Sequence, residues 1–121
     1  MPSALVCEDD GAIRSLVESS LRREGFVVAT AADGSDALLL LAEQHFDVII
    51  LDLMMSRMTG DAVIRHIQAT RPDLLPRVVV TTAAINRVRE LNAQTVGAIV
   101  TKPFDLYEFV ATIHNIARSE I

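Results

Sequence analysis

The sequence predicts an α/β protein, a doubly wound five-stranded parallel sheet with helices on both faces. Two observations carry that expectation. Short apolar runs alternate with longer segments whose apolar residues recur every three or four positions, the rhythm of strand followed by helix. The clearest run, Asp47-Val48-Ile49-Ile50-Leu51, is apolar on both faces, as a central parallel strand covered on each side must be.

The first run, Ala4-Leu5-Val6-Cys7, reads as a buried strand, and Ile13, Leu16, Val17, Ser20 and Leu21 then follow helical spacing up to the stop at Glu24-Gly25. Phe26-Val27-Val28-Ala29 is the second strand. Asp33-Gly34 makes a turn, and residues 35–45 form a helix whose inward face is Ala37, Leu38, Leu41 and Ala42. Leu39 falls off that face, with partial burial favoured over an exposed contact. After the third strand, Thr59 or Gly60 opens a helix carrying Val63, Ile64 and Ile67, which ends before Pro72. Residues 77–81 form the fourth strand, a short fourth helix lies between Ile85 and Gln94, and Ala98-Ile99-Val100 is the fifth strand. Asp105 begins a final helix marked by Leu106, Phe109, Val110, Ile113 and Ile116.

Composition excludes several classes. The chain has 121 residues, enough for one domain (1–121), and carries 11 basic against 16 acidic side chains, a formal charge of −5. That balance argues against direct nucleic-acid binding, which needs a basic surface to neutralise phosphates. No apolar run is long enough to span a bilayer, and the start Met1-Pro2-Ser3-Ala4-Leu5 lacks the basic, then apolar, pattern of a signal peptide. A cytoplasmic location is the expectation. The single cysteine, Cys7, can make no internal disulfide or zinc cluster and reads as an inert core residue. His45, His66 and His114 show no ligand spacing and read as solvated helical histidines.

In a doubly wound sheet, ligands bind outside the carboxyl ends of the strands. Glu8-Asp9-Asp10 follows the first strand, Asp52 the third, Thr81-Thr82-Ala83 the fourth and Thr101-Lys102-Pro103 the fifth. Capping of a helix N-terminus accounts for Asp10 and Asp105. It accounts poorly for Asp52, which is followed by the loop residues Leu53-Met54-Met55. Carboxylates sharing one crevice repel, and a hard divalent cation such as Mg²⁺ relieves the repulsion through oxygen ligands. Glu8, Asp9 and Asp52 have that chemistry. Lys102 adds a point charge suited to a phosphoryl group or a carboxylate, Thr82 a hydroxyl donor, and Ala83 an unobstructed backbone N–H.

The sequence resembles the receiver domain of two-component response regulators over essentially its whole length. The matching stretches are Leu5-Val6-Cys7-Glu8-Asp9-Asp10, Ala32-Asp33-Gly34-Ser35-Asp36-Ala37-Leu38, residues 47–60 around Asp52, Val79-Val80-Thr81-Thr82-Ala83, and residues 97–104 through Lys102-Pro103-Phe104. The resemblance implies a flavodoxin-like, chemotaxis-regulator-like (βα)5 fold with strand order 2-1-3-4-5. It implies that Asp52 accepts a phosphoryl group from a sensor histidine kinase or a histidine phosphotransfer protein. It also implies Mg²⁺ held by Glu8, Asp9, Asp52 and the backbone carbonyl of Met54. Thr82, Lys102 and the Ala83 N–H would contact phosphoryl oxygens, with a cis peptide between Lys102 and Pro103. Phosphorylation would switch a face made by the fourth helix, fifth strand and fifth helix, including Arg87, Arg89 and Ile99, towards a downstream protein or output domain. A phosphorylation-dependent dimer is compatible with the family. The implied role is regulatory and not enzymatic, apart from the domain's own phosphotransfer and dephosphorylation. Partner choice would rest on first-helix residues such as Ile13, Arg14, Val17 and Glu18.

Four features depart from the commonest family pattern. Ser56 stands where a proline is usual, and Ile99 stands where a switching aromatic is common. The interval from Thr82 to Lys102 is slightly short, which implies a trimmed fourth helix. Met54 and Ala84 occupy positions that tune dephosphorylation; neither can orient a water, which points to a long-lived aspartyl phosphate. The competing reading is a degenerate receiver used as a phosphorylation-independent interaction module. A haloacid-dehalogenase-type phosphatase would need an Asp where Met54 stands, and a flavodoxin would need a Ser/Thr/Gly-rich phosphate loop where Glu8-Asp9-Asp10 stands. On length alone, the domain is either a stand-alone receiver or one cut from a longer regulator or hybrid kinase.

Overall fold

The computed structural model describes residues 1–55, 57–83 and 96–119. Strands β1 (Ser3–Cys7), β2 (Val27–Ala31), β3 (Val48–Asp52), β4 (Val78–Thr82) and β5 (Ala98–Thr101) form one parallel sheet in the order β2-β1-β3-β4-β5. Helices α1 (Gly11–Arg23), α2 (Gly34–Glu43) and α3 (Gly60–Thr70) follow the first three strands, and a C-terminal helix spans Leu106–Arg118. The expected strand order is therefore the observed one. The short fourth helix expected between Ile85 and Gln94 lies outside the described residues, as do Ser56, Ala84, Arg87 and Arg89.

Successive strand residues face opposite sides of the sheet, and the core divides accordingly. Ala4, Val6, Val48, Ile50 and Val79 pack with Val17 and Leu21 of α1 and with Phe109 and Ile113 of the C-terminal helix. Leu5, Cys7, Ile49, Leu51, Val78 and Val80 pack with Ala37 of α2 and with Val63, Ile64 and Ile67 of α3. Each of the Val, Leu, Ile and Phe side chains among these contributes about 1.5–3 kcal/mol by leaving water, so both faces must be covered for the sheet to persist.

The helices begin where short polar side chains satisfy free N–H groups. Asp10 Oδ1 accepts from the N–H groups of Ala12 and Ile13 at 3.0 and 3.1 Å, as its capping reading required. Asp33 caps α2 through Asp36, Thr59 caps α3 through Ala62, and Asp105 caps the C-terminal helix through Glu108. Asp33-Gly34 is thus the start of α2 and not a separate turn.

Several expectations need correction. Phe26 is not a strand residue: its N–H donates to Leu21 O at 3.0 Å, closing the end of α1 across Gly25, whose φ is +90°. A 3₁₀ segment at Pro72–Arg77, which buries Leu74 and Leu75, has no counterpart in the sequence reading. Leu16 and Leu39 are exposed, at 51% and 62%, whereas Val17 is buried and so is not available for the partner choice expected of it. Leu39 lies on the outer side of α2, away from the cluster that holds Leu38, Leu40 and Leu41. His45 lies beyond the end of α2, with its ring 3.2 Å from Asp47 Oδ1. His114 packs its ring 5.0 Å from that of Phe26 and is not merely solvated.

Candidate functional site

Four strands deliver the candidate residues to the carboxyl edge of the sheet. Glu8 and Asp9 follow β1, Asp52 is the last residue of β3, Thr82 is the last of β4, and Lys102 follows β5. Backbone bonds hold these ends together: the Glu8 N–H donates to Ala31 O at 3.0 Å, Leu53 N–H to Thr81 O at 3.0 Å, and Lys102 N–H to Thr82 O at 2.8 Å. The site is therefore an extension of the sheet's own ladder.

Glu8, Asp9 and Asp52 each offer a carboxylate oxygen within 4.8 Å of the others. Glu8 and Asp52 are buried and Asp9 is exposed, so the cluster is open to solvent on one side. Lys102 Nζ lies 2.7 Å from Glu8 Oε1 and 3.4 Å from Asp52 Oδ2. Burial, reinforced by the Asp52 carboxylate, pushes Glu8 up to about 7, although Lys102 pulls in the other direction. Burial alone would favour loss of the Lys102 proton, but the adjoining Glu8 and Asp52 outweigh it and hold the ammonium above its ordinary range. A cluster of three hard oxygen donors, in which burial and a neighbouring carboxylate drive Glu8 towards protonation, has the chemistry of an Mg²⁺ site.

The other expected residues fall around this centre. Met54 donates its backbone N–H to Asp52 Oδ1 at 3.0 Å, while its side chain is 59% exposed. Thr82 is buried, Ala83 is exposed immediately after it, and the Lys102–Pro103 peptide is cis, as expected. Ile99 is partly buried against the core on the α2 and α3 face. Cys7, one residue from Glu8, is fully buried and its thiol is pushed up by that burial, in keeping with a core role.

Two contacts at the rim escaped the sequence reading. Arg14, considered for partner choice, donates from its guanidinium to the carbonyl of Glu8 at 2.8 Å and so braces the β1–α1 loop. Arg57, in the loop after Asp52, forms an ion pair with the buried carboxylate of Asp33. Residue type alone carried no signal for the second contact, because it joins two loops that only the folded sheet brings together.

Residues 4–114 match the response regulator receiver domain family. The chain is 51% identical over 81 residues to the transcriptional regulatory protein AfsQ1 of Streptomyces coelicolor, a match covering 67% of this chain and 35% of that protein. It is 38% identical over 118 residues to the response regulator MprA of Mycolicibacterium vanbaalenii, covering 94% of this chain and 49% of that one. Among solved structures, it is similar to the response regulator TrrA from Thermotoga maritima in complex with Mg²⁺–BeF, with a TM-score of 0.85, 27% identity, and coverage of 96% and 99% of the two chains. The chain spans about half the length, or less, of the curated relatives it matches. Because some of those relatives are by name transcriptional regulators, the expectation of no nucleic-acid contact is corrected to a statement about this domain's acidic composition; it does not extend to the whole protein. Among the described residues, no helix is long and apolar enough to cross a membrane.

Proposed function

Since the chain belongs to the response regulator receiver domain family, we propose that residues 1–121 form a receiver whose Asp52 is the phosphoacceptor of a two-component phosphorelay. The observation that carries this reading is the placement of the Lys102 ammonium 2.7 Å from Glu8 and 3.4 Å from Asp52, beside three carboxylates within 4.8 Å of one another.

In the proposed reaction, an Asp52 carboxylate oxygen attacks the phosphorus of a phosphohistidine on a sensor histidine kinase or phosphotransfer protein. A P–O bond forms, the P–N bond breaks, and the imidazole leaves with its electron pair and takes up a proton. No base is needed, because the nucleophile is a carboxylate anion. The difficulty is electrostatic: two anions must meet, and preorganised positive charge lowers that barrier. Lys102, the Thr82 hydroxyl and the Ala83 N–H are proposed to meet the phosphoryl oxygens. Glu8, Asp9, Asp52 and the Met54 carbonyl would hold Mg²⁺, which supplies Lewis-acid stabilisation of the transferring phosphoryl group. Met54 offers no side-chain group able to orient a hydrolytic water, which favours slow autodephosphorylation.

The output is proposed to pass through the face containing β5, Ile99 and the C-terminal helix to a further domain or partner protein. The names of the relatives support a transcriptional output. A cytoplasmic location follows from the proposed exchange with a kinase. The test is intact mass after incubation with Mg²⁺ and acetyl phosphate. The wild-type chain should gain one phosphoryl group and Asp52→Asn none; an equal gain in the variant overturns the assignment. Mg²⁺-dependent binding of beryllofluoride is also expected, and a receiver working only as an interaction module would show neither response.

A further inference from the structure

The loop leaving Asp52 is fastened to a neighbouring loop by groups outside the carboxylate cluster. Its near end is held by the Met54 N–H, which donates to Asp52 Oδ1 at 3.0 Å, and it closes where the Gly60 N–H reaches Leu53 O at 3.2 Å. Midway, Arg57 pairs with Asp33 Oδ2, and the Gly34 N–H donates to Met58 O at 3.2 Å. The Asp33 side chain is 8% exposed and the Arg57 side chain 71% exposed. Asp33 Oδ1 is already engaged by the N–H of Asp36 at 3.0 Å, so Arg57 supplies the charged partner of the remaining oxygen. A buried carboxylate stripped of its cation is costly, which makes the pairing hard to give up.

The backbone at Arg57 adds an independent sign. Its φ is +63°, and it is the positive-φ non-glycine residue among those described. A side-chain-bearing residue adopts that conformation at an energetic cost, and it persists only where surroundings over-determine it. Here the surroundings are Asp33 and the Gly34–Met58 bond, with Gly34 packed so closely that an added Cβ would lie 2.6 Å from Met58 O.

We propose that Asp33 and Arg57 are positioning residues for the phosphoryl site. Their ion pair holds Arg57 and Met58 in the arrangement that accompanies the Met54 backbone against Asp52. The consequence for phosphoryl transfer rests on the receiver reading above; the tether itself does not.

Arg57→Gln removes the charge and keeps a side chain at the left-handed position. Arg57→Gly removes both the charge and the backbone strain, and Arg57→Lys keeps the charge. All three alter an exposed side chain outside the core, and circular dichroism checks that each variant is folded before it is compared. Amide hydrogen exchange at Gly34 and Met54 should accelerate in the Gln and Gly variants. Calorimetric titration of the unphosphorylated proteins with Mg²⁺ should show roughly three- to tenfold weaker binding, at or below the loss typical of an outer-shell partner. The Lys variant should stay within about twofold of wild type in both measurements, as charge-based positioning requires. Wild-type behaviour in both Gln and Gly variants overturns the proposal, and so does a defect in Gln that Gly alone relieves, because strain and not the ion pair would then govern the loop. If the wild-type chain fails to gain mass with acetyl phosphate, the receiver reading fails, while exchange at Gly34 still reports on the tether.

Discussion

The Lys102 ammonium is hydrogen-bonded to Glu8 at 2.7 Å, closer than its 3.4 Å approach to Asp52. The first acid of the chain and a base near its end thus meet at the carboxyl edge of the sheet. The remaining imbalance, two buried carboxylates facing one ammonium, shapes the response to pH.

Glu8 is raised from 4.5 to about 7 by burial and by Asp52, so the folded chain holds its proton where the unfolded chain has released it. Stability from this group is complete below about 4.5 and is lost as the pH rises towards and through about 7. In a chelator-containing buffer, the urea midpoint should fall over that interval, and Glu8→Gln should flatten the slope. A wild-type midpoint that climbs through the same window contradicts the assignment.

At the opposite edge, Ser3 fastens β1 to the entry of β3. Its N–H donates to Asp47 Oδ2 at 2.8 Å, and its hydroxyl reaches His45 O at 3.2 Å and Asp47 Oδ2 at 3.3 Å. Ser3→Ala keeps the backbone bond and loses the hydroxyl, at a cost of about 0.5–1.5 kcal/mol. Phosphorylation by acetyl phosphate should proceed at the wild-type rate, because the change lies at the far end of the strands.

Asp47 contributes in a different pH range from Glu8. Burial would raise it, but the Ser3 N–H, His45 and the Ser3 hydroxyl outweigh burial and lower it from 3.8. The stability it supplies is present above 3.8 and is lost as the pH falls through its lower folded value. Asp47→Asn should remove part of the acid-induced loss seen by circular dichroism; an unchanged acid transition counts against this role.

Gly60 allows α3 to begin directly against the carboxyl end of β3. An added Cβ would lie 2.5 Å from Asp52 O and 2.7 Å from Leu53 Cα, both backbone atoms with little freedom to yield. Gly60→Ala should therefore destabilise by about 1–3 kcal/mol and slow phosphorylation together. Loss of stability with an unchanged labelling rate would separate the contact from the site.

Leu39 is 62% exposed on α2, so Leu39→Lys should alter unfolding free energy by no more than about 0.5 kcal/mol. A larger loss in denaturant titration would mean that this side chain is buried in solution.

The strands and the carboxylate cluster were legible because strand runs end directly in charged residues, Cys7 then Glu8, Leu51 then Asp52, Thr101 then Lys102, whereas the strand order followed from the family resemblance. Leu39 was less legible for a geometric reason. Helical spacing puts Leu39 off the inward face of the 38–41 leucine run, but it does not say whether its neighbours cover it, and partial burial was expected where the side chain is 62% exposed. The Asp33–Arg57 tether was hidden for another reason. Its partners are 24 residues apart, and the left-handed backbone at Arg57 is a property of the folded loop that an arginine does not advertise. The 3₁₀ segment was missed because Pro72 and Pro76 read as breaks in a connection, although Leu74 and Leu75 are buried within it.

The 94-residue separation between Glu8 and Lys102 also has a temporal meaning. As the chain leaves the ribosome, β1 and β2 emerge early, but the counter-charge arrives only after β5, whose docking closes the longest loop of the site. Until then, Glu8 and Asp52 lack the Lys102 counter-charge that the folded chain gives them. On the receiver reading, labelling by acetyl phosphate would then be a late event of maturation: arrested translation intermediates should become labelled only once the helix Leu106–Arg118, which covers one face of the sheet, has also cleared the exit tunnel.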